Sequence, residues 1–311
     1  MPIKHRLRPY QAEIGRAVLD SVLNKKGLTF SVVIARQGGK NELSAQLEVL
    51  LLTLFMRIGG NAVKASPTFK PQTINSILRL KERLDDAGYD GIWVSEMSYM
   101  VRLGRARQMF FSADSSSHVV GATAHILLEM DESQNIPKEK YNKEFKPMGA
   151  ATNVTTVHYG TTWDDATLLE EIKQTNLELE RKDRVRRHFE FDWREVSRYV
   201  PDYKRYVEGE RERLGKQHPL FLTQYCLMPL RGGGGFLGSA QRAQLQGDHS
   251  RRSRPEGHGV YVAGIDLAGE AEEGQDAELR AAMPRKDSTV VTIGELDFSL
   301  HGPLRDEPGI R

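Results

Sequence analysis

The chain has 311 residues, enough for about two domains. Its 39% apolar and 28% charged residues suit a globular protein with a sizeable core and exclude a disordered or fibrous chain. A net charge of +2 means that any nucleic-acid surface must be a local one, and a single cysteine, Cys226, excludes a disulfide framework and a thiolate metal cluster.

The opening, MPIKHRLRPYQ, has no apolar signal region. An intracellular protein is therefore expected, and the sequon Asn153-Val154-Thr155 is one in form only. A helix is predicted over 12–24, with Pro9 at its start and Ile14, Val18 and Leu23 at helical spacing. Tyr10 and Gln11 admit two readings. They stack on and hydrogen-bond an adenine, or they staple and cap the helix.

Residues 30–42, FSVVIARQGGKNE, organise the chain. An apolar, β-branched run (Phe30, Val32, Val33, Ile34) meets a short glycine-bearing turn and a lysine, and a helix is predicted over 42–56. Strand, tight loop, lysine, helix is the arrangement that cradles phosphate, because backbone N–H groups of the turn and of the helix start face one concavity. Gln37, Gly38 and Gly39 form the turn, and Lys40 is placed to reach the β and γ phosphates of ATP. The match to G-x-x-x-x-G-K-[ST] is imperfect: Ile34 replaces the first glycine, and Asn41 replaces the hydroxyl that serves Mg²⁺. Alone, the loop is equally a strand-to-helix turn with an exposed lysine.

A strand is predicted over 61–67, a helix over 71–87, a strand fragment at 92–94 and a further strand at 109–113. Arg102, Arg105 and Arg107 contact phosphates or form a solvated face. At 124–134, AHILLEMDESQ, an apolar strand ends in the adjacent carboxylates Asp131 and Glu132. Phosphoanhydride hydrolysis uses such a pair beside a phosphate loop: Asp131 for the Mg²⁺ shell, Glu132 to polarise the attacking water. Glu129 is out of keeping with a buried strand, and faces the site or is a satisfied structural acid. A strand at 155–160 then puts the hydroxyls of Thr161 and Thr162 at the carboxyl edge of the sheet, where they sense a γ-phosphate or form a polar turn.

Residues 166–216 read as helical and highly charged, a lid or solvated helices packed on the core, with Trp163, Trp193, Tyr199, Tyr203 and Tyr206 as aromatic anchors. Four consecutive glycines and a basic, breaker-rich run make 231–259 a linker. Strands at 261–268 and 288–298 follow, with Asp266 on the first and Asp287 at the entry to the second. Such a pair begins a ribonuclease-H-like fold, whose clustered carboxylates hold two metals about 4 Å apart. Two exposed acids on a hairpin are the alternative.

The order of motifs resembles the large terminase subunit of tailed bacteriophages, the DNA-packaging motor. LRPYQ is similar to its adenine-recognition motif, ARQGGKNE to its deviant phosphate loop, KASPT to the helicase-like strand motif and LLEMDESQ to its acidic strand end. HYGTTWD is similar to the coupling motif, HPLFLTQYCLMPL to the segment closing the ATPase domain, and GIDLAG with KDSTVV to the start of the nuclease domain.

The resemblance implies an α/β P-loop NTPase with a mainly parallel sheet and a helical lid over 1–230, the linker 231–259, and a partial ribonuclease-H-like nuclease over 260–311. It implies Lys40 on the β/γ phosphates, Arg36 on the γ-phosphate, Asn41 and Asp131 toward Mg²⁺, Glu132 activating water, and Thr161 and Thr162 coupling hydrolysis to DNA movement. Asp266 and Asp287 bind the nuclease Mg²⁺ or Mn²⁺, and the other ligands of that metal are expected beyond Arg311. The implied partners are double-stranded DNA, a portal protein and a small terminase subunit. A homo-oligomeric ring in the host cytoplasm, with no membrane, is implied too. A helicase-like DNA-dependent ATPase and a non-hydrolysing nucleotide-binding assembly module are the rival readings.

Overall fold

A computed structural model describes residues 6–230, apart from 115, 116, 118 and 120, together with 260–266, 290–301 and 308–310. The linker expected at 231–259, the insert after Asp266 and Asp287 itself lie outside the described residues. The chain divides into two compact units, Met1–Leu245 and Gln246–Arg311.

The first unit is built on an eight-stranded sheet in the order β3-β4-β5-β2-β6-β7-β1-β8. Its strands are β1 (Thr29–Ile34), β2 (Gly60–Ser66), β3 (Val94–Glu96), β4 (Met100–Leu103), β5 (Ala106–Ser112), β6 (Leu127–Met130), β7 (Thr155–Gly160) and β8 (His188–Phe191). From β5 across to β8 all neighbours are parallel, and β3 and β4 add an antiparallel edge. Parallel strands carry helices on both faces and so are buried throughout, which is why β1, β6 and β7 are near-continuously buried runs rather than alternating ones.

Helix α1 (Pro9–Leu23) buries Ile14, Val18 and Val22, one apolar stripe at four-residue spacing. Helix α2 (Lys40–Phe55) buries Leu43, Leu47 and Leu51. It begins two residues before the predicted start, because Gly39 in the left-handed region (φ 94°, ψ 27°) turns the chain directly into it. Helix α3 (Ile74–Asp86) starts later than predicted, since residues 69–73 form a wider turn interrupted at Lys70. The short α4 (Lys138–Lys140) runs on into further turns up to Gly149.

Two corrections concern 92–113 and 166–216. The fragment at 92–94 is instead β3, and the strand at 109–113 starts three residues earlier as β5, folded back on β4 through Gly104. The stretch 166–216 is not uniformly helical. Helix α5 (Leu168–Asp183) stops at Arg184 in the left-handed region, and the chain then enters β8 along β1. Helices α6 (Trp193–Ser197), α7 (Pro201–Leu214) and α8 (Pro219–Gln224) follow. Trp193, Val196, Tyr203, Val207 and Phe221 join Phe30, Ile34 and Leu43 in one buried cluster, so these helices share the core of the sheet.

In the second unit β9 (Val260–Asp266) and β10 (Val290–His301) pair antiparallel as predicted, with Asp266 opposite Val290. The unpredicted β11 (Pro308–Ile310) adds a third strand on β10. No helix among the described residues is long and apolar enough to cross a membrane.

Candidate active site at the carboxyl edge of the sheet

Strands β6, β7 and β1 are adjacent, and each delivers a polar group from its carboxyl end. This is the edge at which ligands bind in open α/β sheets. From β1 comes the loop 35–39. Its turn is closed by the Gly38 N–H donating to the Ala35 carbonyl at 2.8 Å, and Gln37 and Gly39 both have positive φ (59° and 94°). A side chain at Gly39 would begin 2.6 Å from the Gln11 amide nitrogen, so the loop conformation and the close neighbour both require glycine.

The loop is braced from α1. The Tyr10 hydroxyl donates to the Gly38 carbonyl at 2.6 Å, and the Gln11 amide donates to the Gly39 carbonyl at 2.8 Å. The Tyr10 ring is buried, 5.2 Å from Phe191 and 5.9 Å from Tyr199 between centroids. Both side chains donate to loop carbonyls, and the Gln11 amide oxygen also accepts the Arg8 N–H at 2.8 Å, the helix cap of the second reading.

Lys40 opens α2 and is buried, yet its ammonium faces the acids. Its Nζ donates to Thr161 Oγ1 at 2.5 Å and lies 3.3 Å from Glu132 Oε1. Glu132 occupies the left-handed region (φ 48°, ψ 46°), which turns its carboxylate out of the β6 line, and its N–H donates to Asp131 Oδ1 at 3.1 Å. Burial pushes the Glu132 carboxyl up, but Lys40, the Gln134 amide and Arg36 together hold it below the usual carboxylate range. Asp131 behaves oppositely. Burial and the neighbouring Glu132 raise it, against the pull of Lys64 and Lys40.

Thr162 is buried beside Thr161. Arg36, Gln37 and Asn41 are exposed on the loop and the first turn of α2. The Arg36 backbone is fixed at both polar atoms, its N–H donating to Gln224 O and its carbonyl accepting from the Tyr203 hydroxyl, each at 2.8 Å. Asp266 ends β9 in the second unit.

Behind the site lies a buried polar network that periodicity could not reveal. Lys64 and Glu129 are direct partners across β2 and β6. Lys64 donates to Ser44 (2.8 Å) and Glu48 (3.1 Å) of α2, and Ser44 donates to Glu129 at 2.7 Å. Burial disfavours the Lys64 ammonium, but Glu48, Asp131 and Glu129 outweigh it and keep the lysine charged. Glu129, the acid left ambiguous in the sequence, is thus a structural one. Its signal was there in the lone Lys64 of an otherwise small and apolar strand.

A glycine-turned loop, a lysine at the helix start and an acidic strand end, joined at one sheet edge, define the P-loop NTPase class of fold. No family model and no curated protein matches this sequence. Solved structures do match in fold. The ATPase domain of the Thermus phage P74-26 large terminase is 16% identical with a TM-score of 0.56, over 73% of this chain and 95% of that one. The HK97 bacteriophage large terminase is 17% identical with a TM-score of 0.58, over 93% of this chain and 63% of that one. The large terminase of a thermophilic bacteriophage, in complex with ADP, is 13% identical with a TM-score of 0.53, over 93% of this chain and 65% of that one. The fold of this chain is therefore that of phage large terminase ATPase domains, and the chain spans a little under two thirds of the length of the longer terminases that it matches.

Proposed function

We propose that this protein is the ATP-hydrolysing motor of viral DNA packaging, a terminase large subunit that moves double-stranded DNA into a capsid. The observation that supports this best is the convergence of Lys40, Glu132 and Thr161 on one point at the sheet edge, with separations of 2.5 and 3.3 Å about the lysine ammonium. That is the placement in which one triphosphate meets a cationic anchor, a carboxylate base and a hydroxyl sensor.

In this reading the N–H groups of residues 37–41 and the Lys40 ammonium bind the β and γ phosphates. Arg36, anchored through its backbone, extends to the γ-phosphate. Asp131 and the Asn41 side chain would hold Mg²⁺, which would supply neutralisation of phosphate charge. The donor atoms suit it in kind, a carboxylate and an amide oxygen being the hard oxygen ligands that Mg²⁺ takes. Glu132, kept ionised by Lys40, accepts a proton from the attacking water. Thr161 and Thr162 pass the state of the γ-phosphate to the sheet edge. Asp266 and Asp287 belong to a metal-dependent nuclease of a longer protein. The DNA, a portal protein, a small terminase subunit and a ring of further copies are the partners this function requires, and the host cytoplasm is its setting.

Phosphate release measured with double-stranded DNA present tests the reading. Glu132→Gln should lower turnover by about a hundredfold or more while ATP still binds, as expected for loss of a general base. Equal rates for the two proteins would remove Glu132 from the chemistry.

A further inference from the structure

We propose that Gln134 is a positioning residue that locks the Glu132 carboxylate to the end of β7; this rests on the ATPase reading above. Gln134 sits in the short turn Ser133–Asn135 that follows the acidic strand end. Its amide nitrogen donates to Glu132 Oε2 at 2.5 Å. Its amide oxygen accepts the Thr161 N–H at 3.3 Å. The second Glu132 oxygen faces Lys40, which in turn donates to the Thr161 side chain. The four residues form a closed ring, Lys40–Thr161–Gln134–Glu132, entered at Thr161 through its hydroxyl and left through its backbone N–H, in which the Gln134 amide has one permitted orientation: donor toward the carboxylate, acceptor toward that N–H.

The surroundings are built to admit this amide. A Cβ at Gly160 would stand 2.2 Å from the Gln134 oxygen and 2.4 Å from a Leu169 methyl, so β7 must end in a glycine for the bridge to close. The turn is pinned to the same strand a second time, by Ser133 Oγ and His158 Nδ1 at 2.9 Å. Glu132 is left with its Oε2 occupied and its Oε1 aimed along the lysine. Any displacement of Thr161, whose hydroxyl also reaches the Ile34 carbonyl at 3.3 Å, is transmitted to the carboxylate through one rigid amide. Gln134 therefore sets where the base points, and it links the loop after β7 to the hydrolytic group without itself touching nucleotide.

Two variants of the full chain separate this from a bulk structural effect. Gln134→Met keeps the size and removes both hydrogen bonds. Gln134→Glu keeps the acceptor and sets a second carboxylate against Glu132. Both should lower kcat roughly tenfold to a hundredfold, the scale of a misplaced reacting group, with KM for ATP within about twofold and the melting temperature little changed. Combined with Glu132→Gln, Gln134→Met should add no further loss, because Gln134 acts only through that carboxylate. An unchanged kcat, or a loss that persists additively in the Glu132→Gln background, would overturn the positioning role. Hydrogen exchange at 160–162 should quicken in Gln134→Met, and unchanged exchange would deny the bridge. A wild-type chain that binds but does not turn over ATP, yet shows the quickened exchange in the variant, would overturn the ATPase reading while leaving the bridge standing.

Discussion

At the scale of single residues, burial decides which polar groups brace the site and which titrate. The Tyr10 hydroxyl has exchanged water for the Gly38 carbonyl. Tyr10→Phe should therefore cost about 1 kcal/mol in denaturant unfolding, the net value of one hydrogen bond, and should weaken nucleotide binding by loosening the loop. His158 is fully buried between Ser133 and the edge of the Tyr141 ring, whose centroid lies 4.8 Å away, and burial takes its pKa down to about 3. Its folded-state value is depressed below the unfolded one. The stability it contributes is present above pH 6.5 and is lost as pH falls toward 3, because the unfolded chain takes up a proton that the folded one refuses. Thermal unfolding should show a loss of about 2 kcal/mol between pH 7 and pH 5 from this group, and the slope should flatten in His158→Asn, which carries no titrating ring. An identical slope in that variant would assign the effect elsewhere.

At the scale of elements, α2 is tied to the sheet by charge as well as by leucines. Ser44 and Glu48 lie one turn apart on its inner face, where Lys64 and Glu129 meet them. Lys64→Met would leave Glu48 buried without its cation, a change that should destabilise the chain by about 3–5 kcal/mol in chemical unfolding. The same comparison shows what the amino-acid order could convey. The loop after β1 and the acids after β6 were legible because each motif is contiguous and its chemistry is local. Their meeting point depends on β7 lying between β6 and β1, which no spacing states. Strand β8 was missed because HFEF is short, sits in a run of charges and pairs on one side only, so its neighbours' helical signal dominated. The contact of Tyr10 and Gln11 with the loop was hidden for a related reason: an aromatic and an amide suit an adenine or a helix cap equally, and only the packing of α1 against the loop shows that both reach loop carbonyls.

At the scale of the whole molecule, every described residue of both buried clusters precedes Met228. The closing segment matters to the site. Gln224 receives the Arg36 N–H, and Leu230 donates to Trp163 just past Thr161 and Thr162. A chain cut after Leu230 should therefore fold and hydrolyse ATP at the rate of the full chain, whereas a cut before Pro219 should remove Phe221 and Tyr225 from the core and the anchor of Arg36 with them. If the longer fragment fails to turn over ATP while the full chain does, the second unit contributes to the motor. The same pair of proteins bears on DNA. With a net charge of only +2, contact must rest on local arginines and lysines that displace counterions from the phosphates, so binding should weaken steeply between 50 and 200 mM salt, in proportion to the number of contacts. Titrations of a duplex against the full chain and the fragment at several salt concentrations give that slope for each. A shallower slope for the fragment would place part of the DNA surface after Leu230, and a slope near zero for both would contradict a packaging motor.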